Sequence, residues 1–294
     1  MATTWPYRFM SLSEDELRSR RAALDLRGYL AQLSAFAVIV AVSLYCRFGV
    51  RSSSTKLQEL RSTSSSWWNA PARQGAAESI KQYALVLMWL GWLIGLCIWK
   101  SGEDYLHLTK ALAHVSLSQL PVQFLLAPTS FLLRSRGVPS VLSLVTTIPQ
   151  PTLTAYHRLL GRLVVVPLLC AHAALYLNFY MQTPDPTYGS LLAKRVRDLD
   201  VEIGICGIVV ATLFWVLRGS TVRRWSGSIL GVDTPEGRRK AFYVVHLGLV
   251  AVLLVLAYAH VVFARVFVLE SVGTIAVSLM VCRLLDRGRG IGKA

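Results

Sequence analysis

Across 294 residues the chain is 54% hydrophobic and only 16% charged, with a mean hydropathy of +0.48, whereas soluble domains run near 25% charged. Several apolar stretches approach the roughly 20 residues that cross a ~30 Å hydrocarbon core, too many for one buried core helix. The expected fold class is therefore all-α, a polytopic membrane helix bundle. The net charge of +15 does not point to nucleic acid, because the cations are scattered through short segments between apolar spans and not gathered on one face. They read as topogenic charge beside anionic membrane lipid.

In chain order, an N-terminal tail over 1–27 lacks the basic start, apolar middle and small-residue cleavage site of a signal peptide, so the first span is expected to act as its own insertion signal. The first two spans, at about 28–50 and 82–100, are joined by a Ser-rich loop over 51–81 whose Trp67 and Trp68 suit an interfacial anchor. A third span over about 109–133 carries Gln119, Pro121, Gln123 and Pro128. Such residues are tolerated where neighbouring helices satisfy the backbone, which places this span inside the bundle. Four more spans follow at about 155–180, 201–218, 240–264 and 266–285, within a domain over 101–285, and a basic tail over 286–294 ends the chain. Seven spans put the termini on opposite sides. A cytoplasmic C-terminus gives the inner segments 20 of the 31 Lys and Arg, so the expected orientation is N-out, C-in. The five cysteines (Cys46, Cys97, Cys170, Cys206 and Cys282) form no CxxC pair and read as small core residues.

The six histidines carry the chemistry. His107 and His114 come early, His157 and His172 share the fourth span, and His246 and His260 share the sixth. Imidazole in hydrocarbon costs free energy unless it is paired or ligated, so four in two spans need a cause. At 100° per residue, the separation of 14 on the sixth span returns to within about 40° of the starting direction, and the separation of 15 on the fourth to within about 60°. Each span thus presents one stripe of two imidazoles, roughly 21 to 22 Å apart at 1.5 Å rise, a spacing suited to two haems stacked across a bilayer. The two spans run parallel, so depth pairs His157 with His246 on the cytoplasmic side and His172 with His260 on the outer side. Bis-imidazole ligation leaves no open iron position and suits outer-sphere electron transfer. Arg158 and Arg162 follow His157, and Arg238, Arg239 and Lys240 precede His246; these cations are placed either for the inner haem's propionates or as ordinary interfacial charge. Arg265 stands in the same relation to the outer haem. Pro167 lies between the two histidines of the fourth span, where a kink would bring the 60° mismatch into line.

The segment YHRLLGRLVVVPLLCAHAALY resembles the HR-x-x-GR…H helix of the ferric reductase and NADPH oxidase superfamily, and FYVVHLGLVAVLLVLAYAH resembles its second bis-histidine helix. DYLHLTKALAHVSLSQLPVQFLLA is similar to the preceding span of fungal members, and LDRGRG to the end of their last membrane helix. The resemblance implies two haem b groups with His157, His172, His246 and His260 as axial ligands. The spacing of 15 departs from the family's commoner 14. His107 and His114 match no ligand position and are expected to be an interfacial and a packed histidine.

Full-length relatives continue into flavin and nicotinamide-nucleotide domains, and this sequence shows neither a GxGxxG after a strand nor a flavin-binding segment of the family type. FAD and NADPH are therefore expected only through a cytosolic flavoprotein reductase partner or a missing domain, with ascorbate or quinol as a small-molecule alternative donor. The acceptor on the other side is a ferric or cupric ion or dioxygen. The outer carboxylates Glu103, Asp104, Asp185, Asp198, Asp200 and Glu202 either attract metal ions or are solvated loop charges. Two rival readings remain: a haem-free seven-span transporter or receptor-like protein, against which stands the near absence of intramembrane acids other than Glu270, and a non-catalytic cytochrome subunit of a partner oxidoreductase.

Overall fold

The computed structural model describes residues 7–49, 70–72, 78–129, 140–217 and 234–291. The expected Trp67/Trp68 anchor and most of the Ser-rich loop lie outside the described residues. Helix α1 (Glu14–Leu44) starts where Ser13 and Glu16 form a reciprocal capping box, with Glu14, Asp15 and Glu16 in its first turn complementing the helix dipole. It runs on through a π-turn, Tyr45–Gly49. At 1.5 Å per residue the 35 residues from Glu14 to Phe48 extend roughly 52 Å, more than the hydrocarbon core needs, so the polar first turns project beyond it.

A second capping box, Ser79 with Gln82, opens α2 (Ile80–Ile98). Then come α3 (Tyr105–Ser118), α4 (Leu120–Leu126), α5 (Val141–Thr146), α6 (Gln150–Leu160), a π-turn at Gly161–Val165, and α7 (Val166–Gln182). The short α8 (Leu191–Arg195) leads to α9 (Leu199–Leu217), α10 (Pro235–His260), a 3-10 turn at Val262–Ala264, and α11 (Arg265–Ile291). Among the described residues there is no strand, only two isolated bridges.

Among the described residues six helical runs are long and apolar enough to cross a membrane: Glu14–Phe48, Ile80–Ile98, Gln150–Gln182, Leu199–Val216, Pro235–His260 and Val262–Arg287. They coincide with six of the seven expected spans. The seventh, over 109–133, is broken: α3 and α4 have 14 and 7 residues and meet at Gln119, with Pro121 in the first turn of α4. The Gln119 side chain is fully buried at this joint and accepts a hydrogen bond from Trp89 Nε1 at 3.0 Å. The backbone break is thus stabilised from α2.

The chain divides into two compact units, Met1–Val165 with Glu270–Ala294, and Val166–Leu269. In the first, α3 packs against α1 and α2, and α6 against α2 and α4. Ala31 and Ala35 on α1 and Ala111 and Val115 on α3 are buried; small residues at such positions let helices approach closely in a bilayer. Polar side chains add to this packing, including Gln32, whose amide donates to Glu270 at 2.6 Å. The N-terminal segment is strapped across the α2–α3 turn: Arg8 N–H donates to the Glu103 carbonyl at 2.6 Å, Tyr105 N–H to the Arg8 carbonyl at 3.0 Å, and Phe9 meets Tyr105 edge-on at 4.9 Å.

In the second unit α9 packs along α10 and also against α7, with Ala211 fully buried. Large apolar side chains such as Val209, Trp215, Val244, Val252 and Val255 face outward. That surface is stable only against lipid, and the protein is an integral multi-pass membrane protein.

Candidate functional site

The four span histidines sit on helices whose starts are fixed locally. Pro149 and the Pro at the first turn of α6 set its entry, and at α10 the Thr234 side chain accepts from Gly237 N–H, with Pro235 in the first turn and Glu236 beside it. His246 and His260 lie on one unbroken helix, α10. His157 is on α6 and His172 on α7, parts of one helical run over Gln150–Gln182 interrupted by the π-turn at Gly161–Val165.

A π-turn closes i→i+5 bonds and so takes up one residue more than an α-turn. The separation of 15 therefore counts as 14 in helical phase. The mismatch of about 60° becomes about 40°, the value for His246 and His260. The π-turn ends just before Pro167, which has no N–H to offer the i−4 carbonyl. The Ser116 hydroxyl donates to the Val165 carbonyl at 2.9 Å, fixing this turn from α3.

His157 is held by a reciprocal clamp. Its Nδ1 lies 2.9 Å from the Gln123 carbonyl oxygen, and Gln123 Nε2 donates to the His157 carbonyl at 2.9 Å. A carbonyl only accepts, so Nδ1 carries the proton and the neutral ring keeps its lone pair at Nε2. A Cβ at Gly161 would stand 2.9 Å from Gln123 Nε2, so glycine there leaves room for the clamp. His260 repeats the arrangement in the second unit, with Nδ1 2.6 Å from the Asp200 carbonyl oxygen. His246 stacks on Phe242 at 5.5 Å and meets Phe214 edge-on at 5.2 Å. His172 meets Tyr176 edge-on at 5.0 Å. All four rings are half-buried.

His107 and His114 belong to a different environment. His107, expected at an interface, is instead buried at 2% exposure, because Arg27 and the N-terminal strap cover the α2–α3 turn. Arg27 Nη1 lies 2.8 Å from His107 Nε2, and Arg27 also donates to the Trp99 carbonyl. Burial, with Arg27 adding to it, pushes the His107 pKa down to about 3. His114 is packed as expected, with Nε2 3.2 Å from the Asp25 carboxylate.

The cations near His157 have protein partners. Arg158 pairs with Glu78 at 2.7 Å, and Arg162 bonds the Tyr83 hydroxyl and lies over its ring at 5.2 Å. Arg239 is exposed in the first turns of α10, next to Lys240, which pairs with Glu236 at 3.2 Å. Arg265 lies over the Tyr258 ring at 4.9 Å. Four of the outer carboxylates also meet cations: Glu103 with Arg8, Asp104 with Arg20, Asp185 with Lys194, and Asp198 with Arg195. Among the described residues no group of three or more His, Cys, Asp or Glu side chains is placed to hold a metal ion; a bis-histidine haem asks for two imidazoles.

The donor set fits haem. Two imidazoles have the ligand tautomer imposed by backbone carbonyls, which is the usual outer-shell arrangement around metal-bound histidine. Neither carbonyl was identifiable from sequence, since every residue carries one. Gln123 was visible only as a polar interruption in an apolar run, and Gly161 only as part of the HR-x-x-GR segment.

Residues 112–257 match the family model described as ferric reductase like transmembrane component. The matched segment contains His157, His172 and His246 and stops three residues short of His260. No curated protein and no solved structure matches the chain. With the matched region spanning the histidine-bearing helices of a multi-pass bundle, this chain carries a ferric reductase-like transmembrane domain.

Proposed function

We propose that the chain conducts electrons across the membrane through two b-type haems, with His157 and His246 as ligands of the inner one and His172 and His260 of the outer one. The observation that supports this most directly is the tautomer of His157 and His260. Each gives its Nδ1 proton to a backbone carbonyl, and the neutral ring then offers Nε2 as a ligand of raised basicity. The pairing across the two spans rests on the matching sequence spacing and depth of the histidines along each span.

Haem held by these histidines would supply a reversible one-electron couple suited to outer-sphere transfer. The chain's part is to orient the imidazoles and surround them with apolar helices that exclude water. It also presents cations at the cytoplasmic side. Arg239 is exposed and available to a propionate, whereas Arg158 and Arg162 reach one only by leaving Glu78 and Tyr83. The electron donor in this reading is a cytosolic flavoprotein reductase carrying FAD and using NADPH. The acceptor on the far side is a chelated ferric or cupric ion or dioxygen, and with such a partner the chain is part of an oxidoreductase.

The test is a reduced-minus-oxidised absorption spectrum of the purified protein, with haem per chain quantified, for the intact chain and for His172→Ala. A low-spin b-type spectrum with two haems falling to one is expected. An intact chain without haem overturns the proposal in favour of a haem-free transporter or receptor-like protein. Turnover with a supplied reductant separates an electron conductor from a non-catalytic cytochrome subunit.

A further inference from the structure

His260 is the last residue of α10, and the next residue, Val261, is extended at φ −144°, ψ 130°. Its backbone is therefore fixed by helix on one side only, and the direction of the imidazole depends on what the ring meets. It meets the first two turns of α9, at one point in each. Nδ1–H donates to the Asp200 carbonyl at 2.6 Å. One turn further along, Gly204 faces the ring edge so closely that a Cβ there would lie 2.6 Å from Cε1, 3.1 Å from Nδ1 and 3.2 Å from Nε2.

Glycine is a poor helix former, and its backbone here is ordinary helix, so conformation does not call for it. The requirement is space for the ring. Gly207, on the same helix, makes a useful contrast: a Cβ there would meet the nearest atom, Leu256 Cβ, at 4.0 Å, an ordinary contact.

We propose that the first two turns of α9, through the Asp200 carbonyl and the bare Cα of Gly204, are a template that sets the rotation of the His260 imidazole as a haem ligand, making Gly204 a positioning residue for the outer haem. This rests on the haem reading above. The Asp200 carbonyl fixes the tautomer, and Gly204 fixes which way the ring plane turns. In a bis-imidazole haem the relative orientation of the two ring planes governs the low-spin EPR signal, and outer-shell hydrogen bonding tunes the potential.

The experiment uses the full chain purified from membranes, with haem per chain, low-spin EPR and a potentiometric titration as readouts. Gly204→Ala is expected to leave the inner haem's signal and potential in place. The outer haem's g values and midpoint should shift, or haem should fall from two per chain towards one. Gly207→Ala is expected to change neither signal. Val201→Pro adds no bulk beside the ring but removes the Val201 N–H bond to the Asp198 carbonyl, 2.9 Å long, and drives residue 200 out of helical geometry; it should move the same outer signal. Both outer signals unchanged in Gly204→Ala, or in Val201→Pro should the first variant not accumulate, overturns the template. In the unaltered protein, hyperfine spectroscopy should find a strongly hydrogen-bonded, exchangeable Nδ1 proton at the outer haem, and its absence overturns the template equally. A wild-type protein without haem defeats the underlying reading instead, so the two failures are distinct.

Discussion

The histidine at the α2–α3 turn and the histidines of α6 and α10 use opposite nitrogens. At the turn, His107 Nε2 faces Arg27 Nη1; a guanidinium only donates, so that nitrogen spends its lone pair inside the protein. On α6 and α10, Nδ1 of His157 and of His260 faces a carbonyl that only accepts, and the lone pair stays at Nε2. One residue type thus serves two purposes. What separates His107 from His157 and His260 is whether the neighbour donates or accepts a hydrogen bond; His114, beside the Asp25 carboxylate, is set apart instead by burial, which it shares with His107 while the four span histidines are half-buried.

The comparison breaks most sharply on cofactor content. Replacing His157, His246 or His260 by Ala should cost one haem of two per chain, whereas His107→Ala and His114→Ala should keep both; pyridine haemochrome quantification decides. A His107 or His114 variant that loses haem would put that residue among the ligands. Next in size is Arg27→Met, which removes the donor to both His107 and the Trp99 carbonyl. Leaving buried acceptors unsatisfied costs about 1 to 3 kcal/mol, so thermal denaturation in detergent should shift downward with haem content unchanged.

Gln123→Ala keeps the carbonyl that accepts from His157 but removes the amide that donates to the His157 backbone, a loss of about 1 kcal/mol. A small shift in the inner haem's midpoint with the outer haem untouched is expected in a potentiometric titration. A further effect is on pH dependence. His107 has its folded pKa lowered to about 3, so between there and the ordinary value near 6.5 the unfolded state binds more protons, and the strapped α2–α3 turn loses stability as pH falls below about 6.5. Amide exchange at Arg8 and Tyr105, corrected for intrinsic rates, should quicken from pH 7 to pH 5. His107→Gln, which still accepts from Arg27 but does not titrate, should flatten that response.

The sequence made much of this legible, and the gaps have physical reasons. Apolar runs of sufficient length located six membrane-crossing helices, five of them within about five residues, because lipid demands that pattern; the first begins at Glu14, well before the expected residue 28, because its polar first turns are helical but carry no apolar signal. The third expected run also has the length, but Gln119 and Pro121 interrupt its hydrogen bonding and two helices form in its place. The four span histidines stood out by their spacing. Their partners did not: Arg27 lies 80 residues from His107 and Gln123 lies 34 from His157, and backbone carbonyls leave no mark on composition. Gly204 looks like any glycine in an apolar helix until the ring of His260 is placed against it.

The π-turn at Gly161–Val165 also bears on what the chain can absorb by insertion or deletion. It works like a slip of one tooth in a gear: one residue is added to the helix, and everything beyond it keeps its former bearing. Excising a single residue from 161–165 would relax the coil to a plain α-helix and leave His157 and His172 on one stripe at a separation of 14. Excising one from 168–171, where the helix is already regular, would swing His172 by about 100°. The same deletion, a few positions apart, is thus expected to be silent in one place and ruinous in the other.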